Sequence, residues 1–277
     1  MEFAFYLPTD DPAVLRPTDL ARSLWAGGQL HGVALAAGLA RSFEQAMAHR
    51  SDLRPARMSV DLFRAVPMAD CRFEVTIVRE GPRIALVDGV LTQDGVTMTR
   101  ASAVFLKVTT SPAGKVWQSG DRPEPPPISI VPVSDEPRVP LFRSDNDWSD
   151  NFGNHQNAGR KQTWQSALPI VAGERPTPFQ AVAGIADSTS LVTNWGDRGV
   201  EFINTDITLT LARMPVSLEI GLEAVDHVEH DGISVGTATV FDREGVLGSA
   251  MVTALANARS NVDFKGIEYT EDGSPVR

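Results

Sequence analysis

The sequence predicts an α+β protein in which one unit, a helix followed by an antiparallel sheet, occurs twice. Three observations carry this. Residues 200–212 echo residues 57–66, with Asp206 in the place of Asp61. Each run follows a helical segment and leads through a proline, Pro67 or Pro215, into further strands. Each set of strands then holds an Asp- and Gly-bearing turn, Gln93-Asp94-Gly95 in the first half and Asp242-Arg243-Glu244-Gly245 in the second. A repeat of this length is a duplicated domain, not a solenoid unit.

The elements follow in order. Residues 3–8 read as a strand. Thr18 before Asp19 and Leu20 has the chemistry of a helix start, a capping hydroxyl followed by an acid in the first turn. The glycines of Gly27-Gly28-Gln29-Leu30-His31-Gly32 open a helix to about residue 49, in which Leu30, Val33, Ala34, Ala37 and Ala40 recur at helical spacing. Its small residues let it lie close against a sheet. Met58, Val60 and Leu62 alternate with Ser59, Asp61 and Phe63, and residues 71–79, 83–92 and 96–108 complete an antiparallel set. In the second half the helix spans Pro178 to Asn194, with Phe179, Val182, Ile185 and Ala186 as its apolar stripe. Strands follow at 200–212, 216–228, 232–242 and 246–258. Prolines cluster between the halves, so residues 1–108 form the first repeat, 109–161 a Pro-rich linker and loop, and 162–277 the second repeat.

Composition narrows the function. The formal charge of −10 argues against nucleic acid or an anionic membrane as partner, while a local arginine cluster or a helix N-terminus can still bind a phosphorylated small molecule. No apolar run is long enough for a transmembrane helix. The first residues carry no secretory signal, and the single cysteine, Cys71, fits a reducing cytoplasm. It alternates with Phe73 and Val75 and reads as a buried strand cysteine. The five histidines are scattered, so no metal spacing arises, and neither a glycine-rich phosphate loop nor a Gly-x-Ser-x-Gly elbow is present.

The chain resembles the acyl-CoA thioesterase II-like family, with a double hotdog fold. The likeness rests on Leu24-Trp25-Ala26-Gly27-Gly28-Gln29, on Ala183-Gly184-Ile185-Ala186-Asp187-Ser188, on Asn204-Thr205-Asp206 and on the last strand from Gly245 to Ala254. The resemblance implies hydrolysis of an acyl-CoA without cofactor or metal, by an Asp, a Thr or Ser, and a Gln of the second repeat. Carried over, these fall on Asp187, Asn204 and Thr253, so one matches in type and two are replaced by other polar groups. It also implies a homo-oligomer.

The residues themselves suit that chemistry. Asp187 sits in an apolar helix, where a partly buried carboxylate can hold a water as general base or attack directly. Asn204 and Thr253 can orient that water. Backbone N–H groups at Gly27 and Gly28 are candidates for an oxyanion site, with His31 nearby, and Arg198 is a candidate for a CoA phosphate. Comparing the copies places His31 opposite Asp187, Ser59 opposite Asn204 and Ala103 opposite Thr253, so the first copy lacks the polar set. Asp61 and Asp206 coincide, which points to a shared role in the fold. Two other functions compete: a non-catalytic acyl-CoA or acyl-chain binding protein, and a hotdog hydratase or dehydratase. The second of these wants an Asp and His acting together, which the second copy does not supply.

Overall fold

The structure, a computed structural model, describes residues 3–25, 28–118, 120, 122–134, 136–257, 260–265, 268–269 and 275–276. The first half holds β1 (Tyr6–Pro8), β2 (Val14–Pro17), α1 (Gly32–Ala46), β3 (Leu53–Asp61), β4 (Cys71–Glu80), β5 (Ile84–Gln93) and β6 (Val96–Lys107). Next come β7 (Leu141–Arg143), α2 (Phe152–His155) and β8 (Gln162–Ser166). The second helical region is α3 (Pro178–Ile185), a 3-10 turn at Ala186–Ser188 and α4 (Thr189–Asn194). A short hairpin of β9 (Trp195–Gly196) and β10 (Gly199–Val200) leads to β11 (Phe202–Asn204) and β12 (Asp206–Leu211). The long strands β13 (Glu219–His230), β14 (Ile233–Asp242) and β15 (Gly245–Ala256) follow.

The strands form one 13-stranded sheet in the order β1-β2-β4-β5-β6-β3-β12-β15-β14-β13-β8-β7, with β11 continuing beside β15. The order reads the same from both ends, and the two halves meet at the antiparallel β3–β12 seam. The sheet curls around the helices, as in the double hotdog. Each half has a hairpin closed by two residues. At Asp94 and Gly95 both are left-handed, with φ of 49° and 77°, the geometry that matches strand twist.

Matching the hairpins fixes the internal twofold. Gln93 faces Val96 as Asp242 faces Gly245, and Ser59 faces Ser102 as Thr208 faces Met251. Ser59 and Thr208 are therefore equivalent, and they are also direct partners across the seam, joined by a 3.2 Å hydroxyl bond. The axis passes between them. This corrects the copy comparison made from sequence. Asp61 and Asp206 do not coincide; they are neighbours across the seam. They also do different work: Asp61 pairs with Arg100 at 3.3 Å, while Asp206 accepts the Thr253 backbone N–H at 3.1 Å.

Helix α1 begins later than its glycines suggest. His31 is its N-cap, accepting the Ala34 N–H at Nδ1 over 3.1 Å. Residues from Ala34 to Ala40 are buried on every side, because sheet covers one face and α3 the other. Burying Leu39 and Phe43 here contributes about 1.5–3 kcal/mol each. The helices touch at Gly184, where an added Cβ would lie 3.1 Å from the Ala37 Cβ and 3.3 Å from the Val33 carbonyl oxygen. The second helix, expected to run unbroken from Pro178 to Asn194, tightens to 3-10 geometry around Asp187. Cys71 is buried as expected, its thiol pushed up to about 12 by burial and bonded to the Ala69 carbonyl.

The segment read as linker and loop is partly structured. β7 pairs with β8 as β1 pairs with β2, and Phe142 and Phe152 are buried in an aromatic cluster with Trp195 and Phe264. These aromatics, spaced among polar residues, carry too little periodicity to reveal the elements. No helix among the described residues is long and apolar enough to cross a membrane.

The close approach at Gly184 sets a test. Gly184→Val should push α1 and α3 apart and destabilise the protein by about 1–3 kcal/mol, read as a lowered denaturation midpoint.

Candidate active site

The 3-10 turn at Ala186–Ser188 carries Asp187 to the start of α1. Its carboxylate lies over Gly32, the first residue of that helix, where any Cβ would collide with Oδ1. It also accepts the Val33 backbone N–H of the same first turn. On its other side Asn204 Nδ2 donates to Asp187 Oδ1 at 2.9 Å. Burial pushes the Asp187 carboxyl up to about 6, against the opposing pull of Asn204 and the Val33 N–H. A carboxylate at a helix N-terminus is favoured by the free N–H groups there. In this case desolvation outweighs them.

Asn204 reaches Asp187 through a β-bulge. Asn204 faces Ala254 on β15, whereas Thr208 faces Met251, so one extra residue, Thr205, is inserted between β11 and β12. Thr205 satisfies itself on the Thr253 carbonyl with both its N–H, at 2.8 Å, and its hydroxyl, at 3.1 Å. The insertion turns Asn204 to the helix side while Asp206 stays on the outer face. A bulge re-aiming a side chain beside a site is a recurrent use of this irregularity.

Thr253 does not join the pair. Its neighbours Val252 and Ala254 are buried against the helices, so the side chain of Thr253 projects from the opposite sheet face. Strand alternation defeats the residue-by-residue transfer there. Arg198 is also displaced. It sits in the turn between β9 and β10 with its side chain 76% exposed, next to Glu201 at 3.7 Å, and takes no part in the cavity beside Asp187. Gly27 falls outside the described residues. Gly28 gives its carbonyl to the Met68 N–H at 3.1 Å and does not line the cavity. His31 does line it, but both ring nitrogens are engaged: Nδ1 caps α1 and Nε2 donates to the Leu20 carbonyl at 2.9 Å. Burial holds its pKa below the ordinary histidine value, so it is a neutral cap.

Asp187 and Asn204 open into a cavity of about 430 Å³. Its walls are largely apolar, from Leu30, Val33, Leu62, Leu191 and Phe264, and its polar rim includes Arg22, Gln29 and Arg64. Sequence reasoning missed Gly32, Val33, Gln29 and Arg64. His31 followed by Gly32 at the mouth of an alanine-rich helix was the available signal, since it marks the cap and first turn. Among the described residues no cluster of His, Cys, Asp or Glu could hold a metal ion.

The twofold shows what the first copy has in this place. Pro55 stands where Asn204 stands, one residue before a matching bulge between Pro55 and Arg57. Arg41 lies as far into α1 as Asp187 lies beyond the start of α3, and it forms an ion pair with Glu174 at 2.6 Å. The start of α3 is met instead by Glu44, which accepts from Thr177 Oγ1 at 2.6 Å and Gln180 Nε2 at 2.7 Å. Neither an acid over a bare helix start nor its amide partner recurs in the first copy.

Comparison with known proteins gives a consistent picture. Residues 21–106 match the family described as the acyl-CoA thioesterase N-terminal domain, and residues 121–255 match the acyl-CoA thioesterase C-terminal domain. A hot dog fold protein from Alicyclobacillus acidocaldarius is 19% identical with a TM-score of 0.66, covering 90% of this chain and 94% of that one. A tesB protein from Mycobacterium avium subsp. paratuberculosis is 16% identical with a TM-score of 0.65, covering 90% and 95%. The acyl-CoA thioesterase II TesB2 of Mycobacterium marinum is 13% identical with a TM-score of 0.60, covering 91% and 94%. Among curated proteins none matches the sequence.

The raised Asp187 pKa makes a stability prediction. The folded protein holds this proton up to about pH 6, whereas the unfolded chain releases it near 3.8. The favourable contribution is therefore complete below the lower value and lost as pH rises through about 6. Asp187→Asn should remove this dependence and stabilise the protein at pH 8 by up to about 3 kcal/mol. Urea denaturation of both forms at pH 4 and pH 8 checks it; equal stability at pH 8 would count against the buried carboxylate.

Proposed function

Because the chain belongs to the acyl-CoA thioesterase family, we propose that Asp187 activates a water that hydrolyses an acyl-CoA thioester in the cavity beside α1. The protein is a thioester hydrolase, and the observation that carries this mechanism is the Asp187 carboxylate held between Asn204 and the first turn of α1. With a pKa of about 6 it is ionised at neutral pH yet basic enough to accept a proton.

The chemistry balances without a cofactor. Asp187 takes a proton from water as the water oxygen bonds to the thioester carbon. The carbonyl electrons move to oxygen, and the positive end of α1 at Gly32 is the nearest source of stabilisation for that charge. As the intermediate collapses, the carbon–sulfur bond breaks, the thiolate of CoA leaves, and the proton on Asp187 is available to it. Asn204 fixes the carboxylate; it is a positioning residue. Arg22 and Arg64 at the cavity rim, in place of Arg198, supply positive charge for the CoA phosphates on an otherwise acidic protein. We also propose that the protein works in the cytoplasm as a homo-oligomer; Val235, Met251 and Leu255, exposed on the outer sheet face, support the association.

Asp187→Asn should lower CoA release by about 10²-fold or more, measured as free thiol from a panel of acyl-CoAs. Asn204→Ala should cost less, and Thr253→Ala should leave the rate unchanged. Tight acyl-CoA binding by wild-type protein with no thiol release would replace hydrolysis with the binding-protein reading.

Two further outcomes follow from the same geometry. The rate should climb about tenfold per pH unit below about pH 6 and level above it, as a carboxylate base requires. Gly32→Ala should dislodge Asp187 and abolish thiol release while the fold, followed by circular dichroism, persists.

A further inference from the structure

Glu219, at the start of β13, is a carboxylate that the mechanism does not use, and it is sealed from water. Charges and hydrogen bonds must replace the solvent around such a group. Three side chains do so. Arg243 Nε donates to Oε2 at 3.2 Å, Trp164 Nε1 donates to Oε1 at 3.3 Å, and Arg138 Nη2 lies 3.5 Å from Oε1. Both arginines also hold the segment that joins the halves. Arg243, in the turn between β14 and β15, gives its other two nitrogens to the carbonyls of Pro126 at 3.0 Å and Val131 at 2.9 Å. Arg138 belongs to the segment and folds back onto the Pro132 carbonyl at 2.9 Å. Val131 itself is buried with Trp164 and Phe241. The internal twofold shows that the sheet does not require this arrangement. Arg72 faces Thr92 as Gly221 faces Phe241, so Asp70 stands where Glu219 stands. Asp70 is exposed and pairs with Arg16 of β2 at 2.9 Å. Only the second half buries its acid and binds the connecting segment with it.

We propose, resting on the thioesterase reading, that Glu219 is a positioning residue for acyl-CoA binding: it fixes the connecting segment so that Pro140 is held in the wall of the cavity containing Asp187. The path is short. Arg138 is two residues from Pro140, and Pro137 and Pro140 bracket it with fixed φ, so the stretch moves as a stiff piece. Val139 packs on the aromatic cluster that includes Phe142 and Phe152, and Phe152 lines the same cavity. Without the shared anion, the guanidinium groups of Arg138 and Arg243 repel each other. The segment then shifts, and the cavity wall shifts with it. Asp187, Asn204 and the start of α1 make no contact with this cluster, so the chemical step keeps its groups in place.

Glu219→Gln keeps the shape and removes the charge. Arg138→Ala breaks the same path at a partly exposed side chain and serves if the first variant does not fold. The readouts are kcat and KM for octanoyl-CoA, followed as free thiol. Both variants should raise KM about threefold to tenfold and leave kcat unchanged. A merely structural role gives the opposite split, because an unfolded fraction lowers kcat at constant KM. In a Pro140→Ala background Glu219→Gln should raise KM by less than it does alone, since coupled positions are not additive. Trypsin should also cut after Arg138 faster in Glu219→Gln, because the side chain it reads is released. A fall in kcat at constant KM, an equal rise in both backgrounds, or unchanged cleavage after Arg138 would overturn the proposal. If the wild-type protein releases no thiol from octanoyl-CoA, the thioesterase reading fails separately. Calorimetric binding of octanoyl-CoA then decides: weaker binding by Glu219→Gln supports the positioning role, while equal binding, or none by wild type, refutes it.

Discussion

The contact between Asp187 and the first turn of α1 governs the architecture of the site. It joins the halves, because the carboxylate belongs to the second and the helix start to the first. It needs a residue without a side chain at Gly32, a tightened turn at Ala186–Ser188 to swing the acid forward, and a cap at His31 that leaves the Val33 N–H free to face it. It also explains why a carboxylate is kept where water is scarce. The favourable dipole and two hydrogen bonds do not offset desolvation, and the remaining cost appears as a raised pKa. That cost lies at the position proposed as the general base, and functional positions are where proteins commonly give up stability.

The duplicated fold separates what the architecture requires from what the chemistry requires. A bulge occurs at equivalent places in both halves, so it belongs to the curvature of the sheet. Only in the second half does it carry an amide, Asn204; in the first it carries Pro55. At the helix starts the same division appears. One is open and faces a cavity through Asp187, and the other is closed by Glu44, Thr177 and Gln180 with the Arg41–Glu174 pair beside them.

Much of this was legible from sequence for physical reasons. Alternation and helical periodicity placed the long strands and both helical regions, since each has one face to bury. Asp187 stood out as an acid in an apolar helix, whereas Asn204 came from the resemblance, as the replacement for a family hydroxyl. The errors share a cause in register. A shift of one residue moves every side chain to the other face of a strand, so Thr253 was assigned to the helix side when it lies outside. The same sensitivity misaligned Asp61 with Asp206, which only the pairing across the seam corrects. Gly32 was within view, but which glycine matters depends on a contact with a residue far along the chain. Phe152 was hidden in a polar stretch because a single buried aromatic has no period.

The segment joining the halves breaks their equivalence. A pair of identical, unlinked hotdog subunits would be bound by symmetry to present the same surroundings at both helix starts. A covalent joint has a direction and need not treat the two alike, and here it leaves Pro140 and Phe152 in the walls of the cavity that holds Asp187. In the linked chain the two helix starts differ: that of α3 is closed by Glu44, Thr177 and Gln180, and that of α1 faces a cavity through Asp187. Two joined halves can therefore have a front and a back, and a change in the connecting segment alters a cavity wall without altering the sheet.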